Sequence, residues 1–260
     1  MRQNPVKHAL RNGQSVFGVF NAMASSGLSE LLGRSGFDFV ILDTEHGPGT
    51  TESVEDMVRA VEIGGCVPIV RVASSDRRDI LKALDAGAFG IQVPMVETAE
   101  DVERILRYGK YWPIGQRGLA FSTKAGAYST CDKQEHLRTS NSETLLVVQV
   151  ETLKAVSNLD EILGAGIAGP YGQCIDVVFV GLSDLSHSMG LPGQVSHPEV
   201  QKAAETVLHK CKEAGVPMGT IVGSSADART WMDRGVLYFT TTAPGLLLNA
   251  CKDFMSGVGR

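Results

Sequence analysis

Two acids stand just after apolar runs, Glu151 directly after LLVVQV (145–150) and Asp184 three residues past DVVFVG (176–181), with no histidine or cysteine beside them. A carboxylate pair of this kind suits a hard divalent ion that keeps several of its waters. Taken singly, each acid could instead pair with a surface Lys or Arg, or cap the helix that follows. Asp184 in particular lies in SDLS, an N-cap context. Placed together at neighbouring strand ends, they favour the metal. His46, in DTEHG after DFVILD (38–43), can take and return a proton near neutral pH if an acid orients its ring. Asp43 and Glu45 are near it in sequence, and Asp85 reaches it if the fold brings the helix over 75–86 close; a lone histidine is otherwise more often structural. Arg71 ends the apolar run VPIVRV (67–72). A buried guanidinium needs an anion, and either a structural carboxylate or an anionic substrate would serve. Imine chemistry would need a lysine projecting from a strand end. Only Lys154 comes near one, and it follows Glu151 into a helix.

Such residues act together only if the chain brings strand ends to one place. Besides the runs already named, VFGVF (16–20), FGIQVP (89–94), PMGTIV (217–222) and VLYFTT (236–241) are short and nearly continuously apolar. Strands buried on both faces of a parallel sheet read this way. Between the runs, helical spacing recurs over 52–64, 75–86, 98–108 and 198–213. Gly36, Gly64, Gly87, Gly215 and Gly235 stand where helices give way to strands, as left-handed caps would. Eight such units without a break in composition predict one (β/α)8 barrel over 1–260, a TIM barrel. A doubly wound open sheet would want a phosphate-binding G-x-G-x-x-G after the first strand, where FNAMASSG stands instead. In a barrel the reactive groups gather at the C-terminal strand ends. That rim collects Asp43, His46, Arg71, Gln149, Glu151, Ser183 and Asp184, with Gly223 and Thr240 to Thr242 beyond. The polar, turn-rich segment 111–144 reads as a long loop at the active site or a subunit contact.

Composition narrows the field further. The chain has 260 residues, 43% hydrophobic and 20% charged, as a soluble globular protein does, and its formal charge is −5. No basic run could track a phosphate backbone, so no nucleic-acid partner is expected. No apolar stretch is long enough for a membrane span, and the first 15 residues lack a signal-peptide core. Five scattered cysteines without C-x-x-C suit reduced thiols in the cytoplasm.

LDTEHGP (42–48), VPIVRV (67–72), LDAGAFGIQVPMVETAEDVE (84–103), VVQVET (147–152) and VFVGLSDLSHSMGLPGQVSHPEV (178–200) resemble the HpcH/HpaI aldolases, metal-dependent class II pyruvate aldolases. The likeness covers roughly residues 14–250. It implies that Glu151 and Asp184 hold a divalent ion (Mg2+, Mn2+ or Co2+), and that Arg71 contacts the substrate's keto oxygen. It further implies acid–base work for His46 with Asp43 and Asp85 in support, Gln149 near the substrate, and amides near Ser183 and Asp184 on the 2-oxo acid's carboxylate. A homohexamer with C-terminal helices packed on neighbouring copies is implied as well. Three segments depart from the family pattern: Gly115–Ala120 lacks the last glycine of G-x-R-G-x-G, 164–176 is long, and Gly181-Leu182-Ser183-Asp184 replaces G-P-A-D. All three are expected around the mouth.

The expected reaction is cleavage and formation of 4-hydroxy-2-oxo acids through a metal-stabilised enolate, giving pyruvate or a related 2-oxo acid and an aldehyde. Decarboxylation of an oxaloacetate-type diacid would use the same site. A CoA-thioester lyase, or a barrel that binds a 2-oxo acid without catalysis, are further readings.

Overall fold

The computed structural model describes residues 3–259, Pro170 by its backbone alone. In chain order the elements are α1 (Pro5–Arg11), β1 (Val16–Asn21), α2 (Ser26–Gly33), β2 (Phe39–Asp43), α3 (Thr51–Gly64), β3 (Val67–Arg71) and α4 (Arg77–Asp85). Then come β4 (Gly90–Val93), α5 (Ala99–Gly109), α6 (Lys133–Glu143), β5 (Leu145–Val150), α7 (Leu153–Ser157), α8 (Leu159–Ala165) and β6 (Val177–Val180). The chain ends with α9 (Leu182–Ser188), α10 (Pro198–Glu213), β7 (Met218–Ile221), α11 (Ser225–Arg234), β8 (Tyr238–Thr242) and α12 (Ala243–Gly257). Every strand pairs in parallel with its sequence neighbour, and β1 pairs with β8, so the sheet closes. This is the expected (β/α)8 barrel, and closure excludes the open doubly wound sheet.

Strand side chains alternate between two apolar layers. Phe39 and Ile41 of β2, Val67 and Ile69 of β3, and Leu145 and Val147 of β5 fill the barrel interior with Phe20, Phe179 and Tyr238. Val40, Leu42, Val70, Leu146 and Val148 face outward and pack against Val58, Ile80, Ile105 and Ile162 of the helices. Burial on both faces explains why the strands read as nearly unbroken apolar runs. It also fixes what the inward face carries when the hydrocarbon stops. Continuing the same period of two, Asp43, Arg71 and Gln149 reach the C-terminal rim. The interior is tightly filled: Phe39 stacks on Tyr238 with ring centroids 4.4 Å apart, and Gly18 leaves room for Phe39.

Helix α1 closes the other end. Val6 and Leu10 join the interior cluster. The backbone N–H of Asn4 donates to Glu143 Oε2 at 2.8 Å, and Lys7 Nζ pairs with Asp176 Oδ2 at 2.9 Å. Three expectations change here. Segment 111–144 joins α5 to β5, so it lies at the closed N-terminal end and cannot be a loop of this barrel's own mouth; it also folds α6, capped by Asp132. For the same topological reason 115–120 and 164–176 lie at the closed end, and of the three departures only 181–184 is at the mouth. The left-handed cap of α3 is Gly65 (φ 94°), because Gly64 is still helical and pressed against Gly33. Among the described residues no helix is long and apolar enough to cross a membrane.

The packing at Gly18 generates a test. A Cβ there would lie 2.1 Å from a ring carbon of Phe39, which is itself held by Tyr238 and cannot yield. Gly18→Ala is expected to cost about 1–3 kcal/mol of stability through overpacking. Thermal unfolding followed by circular dichroism checks it; an unchanged midpoint would contradict the packing.

Candidate active site

Asp43 and Arg71 are register partners at the ends of β2 and β3. Arg71 Nε donates to Asp43 Oδ1 at 2.9 Å and Nη2 to Oδ2 at 2.6 Å, a bidentate fork. Glu45 Oε2 lies 3.1 Å from Nη1, and the guanidinium carbon sits 4.8 Å from the centre of the Phe20 ring. Burial pushes the Asp43 carboxyl up, yet the hydrogen bond and charge of Arg71 outweigh it and hold the group below its ordinary range. Asp43 Oδ1 also accepts from the backbone N–H groups of Glu45 (3.1 Å) and His46 (3.3 Å). One carboxylate therefore fixes both the arginine and the turn that carries Glu45 and His46. Glu45 is shifted upward, chiefly by burial, with Arg71 opposing and the charge of Glu151 adding to the rise.

Glu151 follows β5 and is buried. Its Oε1 accepts from the backbone N–H of Met95 at 2.7 Å, and its Oε2 from Gln149 Nε2 at 2.8 Å. Gln149 Oε1 in turn accepts from Gln92 Nε2 at 2.5 Å. Met95 has φ 53°, in the left-handed region that a side chain disfavours, and that backbone turn brings its N–H to Glu151. Burial raises the Glu151 carboxyl despite these two donors, and the charge of Asp184 adds to the rise. Asp184 stands in the first turn of α9, after Gly181. At Gly181 a Cβ would meet Glu151 Oε2 at 2.9 Å and Asp184 Oδ2 at 3.6 Å. Both carboxylates thus face one point that only a glycine leaves open. Among the described residues no group of three or more His, Cys, Asp and Glu could hold a metal. A cation here would have two protein carboxylates and would take its other ligands from water and substrate, as Mg2+-type ions do.

A cavity of about 280 Å³ opens on this rim, lined by Asp43, Arg71, Gln149, Glu151, Ser183 and Asp184 on its polar side and by Phe20, Phe179 and Ile221 on its apolar side. Asp43, Arg71, Gln149, Glu151, Ser183 and Asp184 are therefore brought together, with Thr242 but not Gly223, Thr240 or Thr241 beside them, whereas His46 and Asp85 are not. His46 lies beside the cavity without lining it, and its ring makes no hydrogen bond among the described residues; Asp43 holds its backbone instead. Asp85 ends α4 at the closed end of the barrel, where Arg117 Nη2 donates to it at 3.0 Å, so within this chain it does not support His46. Glu45 proves to be a direct partner of Arg71, where the sequence suggested only a neighbour for His46. Gln92 was missed, although one polar residue in the run FGIQVP was a visible signal. Gly181 and the Met95 amide carry no side-chain signal of their own.

The family model described as HpcH/HpaI aldolase/citrate lyase matches residues 16–245. A hydroxypyruvate/pyruvate aldolase of Roseobacter denitrificans is 32% identical over 251 residues, covering 96% of this chain and 94% of that protein. A 2-keto-3-deoxy-L-rhamnonate aldolase of Salmonella gallinarum is 31% identical, covering 96% of this chain and 91% of that protein. The crystal structure of a family protein from Burkholderia cenocepacia superposes with a TM-score of 0.91 at 30% identity, covering 99% of this chain and all of that one. With its barrel, its rim and these likenesses in agreement, the chain belongs to the HpcH/HpaI aldolase/citrate lyase family and is a carbon–carbon lyase.

Proposed function

We propose that the protein is a divalent-metal-dependent aldolase that cleaves and forms 4-hydroxy-2-oxo acids, releasing pyruvate or a related 2-oxo acid and an aldehyde. The observation that carries this reading is the convergence of Glu151, Asp184 and Arg71 on one small cavity. Asp43 and Glu45 flank the one guanidinium, and Glu151 and Asp184 add two more carboxylates to the same mouth, an excess of negative charge that a divalent cation would offset. Glu151 and Asp184 would hold the ion (Mg2+, Mn2+ or Co2+), beside Gly181, whose lack of a side chain leaves their oxygens uncovered. Bound there, it supplies Lewis-acid stabilisation of negative charge on the substrate's keto oxygen.

The chain's own residues do the rest. Amides in the first turn of α9, near Ser183 and Asp184, receive the 2-oxo acid's carboxylate. Arg71 is locked by Asp43 and Glu45, so its charge faces the keto oxygen without reorganising as the C3–C4 bond breaks. Gln149 and the Met95 amide hold Glu151 in place. A base takes the C4 hydroxyl proton, either His46 or a water that His46 activates from beside the cavity; the C3–C4 electron pair moves toward the C2 oxygen, the aldehyde departs, and C3 then takes a proton from solvent. Asp85 takes no part in this reading. The exposed apolar side chains of α12, among them Leu247 and Phe254, support self-association, which we take to be hexameric. Free cysteines, three of them buried, support a reducing cytoplasm.

A panel of aldehydes with pyruvate, assayed with Mg2+, Mn2+ or Co2+ and then with chelator, with products identified by mass, tests the activity; oxaloacetate serves as the decarboxylase arm. Exchange of pyruvate methyl protons in deuterated water is expected with metal and not without it. Absence of exchange under every ion would overturn the reading. Arg71→Lys keeps the charge but loses the fork, and turnover is expected to fall about 10²–10³-fold. Gly181→Ala keeps both acids but sets a methyl group against the Glu151 carboxylate, which must shift to make room. Mn2+ affinity, read by titration, is expected to drop, and unchanged affinity would argue against Glu151 as a ligand of the ion. Leu247→Glu with Phe254→Asp is expected to shift the sedimenting species to a smaller one.

A further inference from the structure

At the closed end of the barrel the segments around α6 enclose a second cavity, of about 850 Å³. Five cations line it (Lys7, Arg11, Lys110, Arg117 and Arg138) and no carboxylate does, in a chain whose net charge is −5. Three of the five are answered from outside its walls. Lys7 pairs with Asp176 at 2.9 Å, Arg117 with Asp85 at 3.0 Å, and Arg138 with Glu135 at 2.7 Å. Arg11 and Lys110 have no carboxylate partner among the described residues. Lys110 is 1% exposed, and its Nζ donates to the carbonyls of Asn141 and Thr144, each at 2.9 Å, at the end of α6. Lys7 Nζ donates to that same Thr144 oxygen at 3.0 Å. Two ammonium groups therefore share one carbonyl oxygen out of water, with Asp176 as the nearby acid. Such an arrangement is costly unless one ammonium gives up its proton or a further anion completes it. Burial, with the charge of Lys7 adding to it, pushes the Lys110 ammonium down to about 7.

The other walls are flat. Tyr111 is pinned at both backbone groups by Asn141, whose Oδ1 accepts its N–H at 2.7 Å and whose Nδ2 donates to its carbonyl at 3.0 Å. Arg117 covers one ring face of Tyr111 at 4.7 Å. Trp112, 82% exposed, and Tyr171 stand at the opening with nothing stacked on them among the described ring contacts.

We propose that this cavity binds a phosphate monoester carrying a flat ring, a molecule of nucleotide type, with the phosphate between Lys110 and Arg11 and the ring against Trp112 and Tyr171. Arg11, with Lys110 taking up a proton as the phosphate binds, matches a dianion, and exposed aromatic faces match a base. The site lies at the opposite end of the barrel from Arg71 and Glu151, so its ligand is not the substrate of the reaction, and the inference does not rest on the proposed activity.

Calorimetric titration of the full-length protein with adenosine 5′-monophosphate, adenosine and inorganic phosphate tests it. Saturable binding of the monophosphate is expected, with adenosine and inorganic phosphate each weaker. Arg11→Gln, a change on an exposed helix end, and Lys110→Met are each expected to weaken binding about tenfold. Near pH 8 the monophosphate should also draw a proton onto Lys110, read as a heat that differs between buffers and is absent in Lys110→Met; Lys7, Arg11, Asp176 and Cys174 are the ionisable groups that face it. Failure of the monophosphate to bind at millimolar concentration overturns the proposal. So does inorganic phosphate binding as tightly as the monophosphate, or affinity that Arg11→Gln leaves unchanged. Should Lys110→Met not fold, the Arg11→Gln comparison and the buffer dependence of the unsubstituted protein decide the matter.

Discussion

A guanidinium at the rim of a hydrocarbon-filled barrel cannot stand there without anions, and most of the mouth follows from how Arg71 obtains them. The fork to Asp43 ties the end of β3 to the end of β2. The same Asp43 oxygen that accepts from Nε also accepts two backbone amides, so the turn bearing Glu45 and His46 is folded around the pair. Glu45 then returns a second carboxylate to the arginine. A charge that would be expensive alone becomes a fixed, desolvated cation pointing at a cavity, which is the form in which a charge stabilises developing negative charge best.

Across the cavity the restraint is a chain of polar contacts. Glu151 accepts from Gln149, Gln149 from Gln92, and the Met95 amide completes the set. The donors all run toward Glu151, because an ionised carboxylate can only accept. That direction leaves Gln92 Oε1 buried without a partner, and Met95 with a backbone angle that favours glycine. Neither feature helps the barrel fold. Both make sense as the cost of holding a buried carboxylate in one orientation beside Asp184.

The barrel was legible because strands buried on both faces leave no polar alternation to confuse them, and the rim acids were legible because polar residues interrupt that apolar register where a strand ends. Asp43, Arg71, Gln149 and Glu151 carried that signal, and the structure brings them to one cavity. What misled was the end of the barrel to which a segment belongs. Segment 111–144 and Asp85 both lie where a helix has already carried the chain back to the N-terminal side, so length and acidity suggested a mouth that topology forbids. Gln92 escaped notice because its importance lies in a contact with β5, not in its own surroundings in sequence. His46 differs again: its neighbours in sequence were acids, but Asp43 spends its oxygen on backbone amides and Glu45 pairs with Arg71, a choice decided by turn geometry.

The two ends of the barrel have opposite electrostatic character, and the fold explains why they can. The mouth gathers four carboxylates beside the one Arg71, whereas the closed end gathers two lysines on the last carbonyls of α6 and three arginines along the same cavity. Between them lies an interior of Phe39, Ile41, Ile69, Val147, Phe179 and Tyr238, with no ion pair among these residues to bridge the gap. Hydrocarbon of that depth keeps the charges at each end from pairing with those at the other, so each set must be balanced locally. At the mouth the proposed divalent cation would meet that need, and at the closed end the proposed anion would. Charge that a fold separates so completely is better read as two binding problems than as one surface of mixed charge.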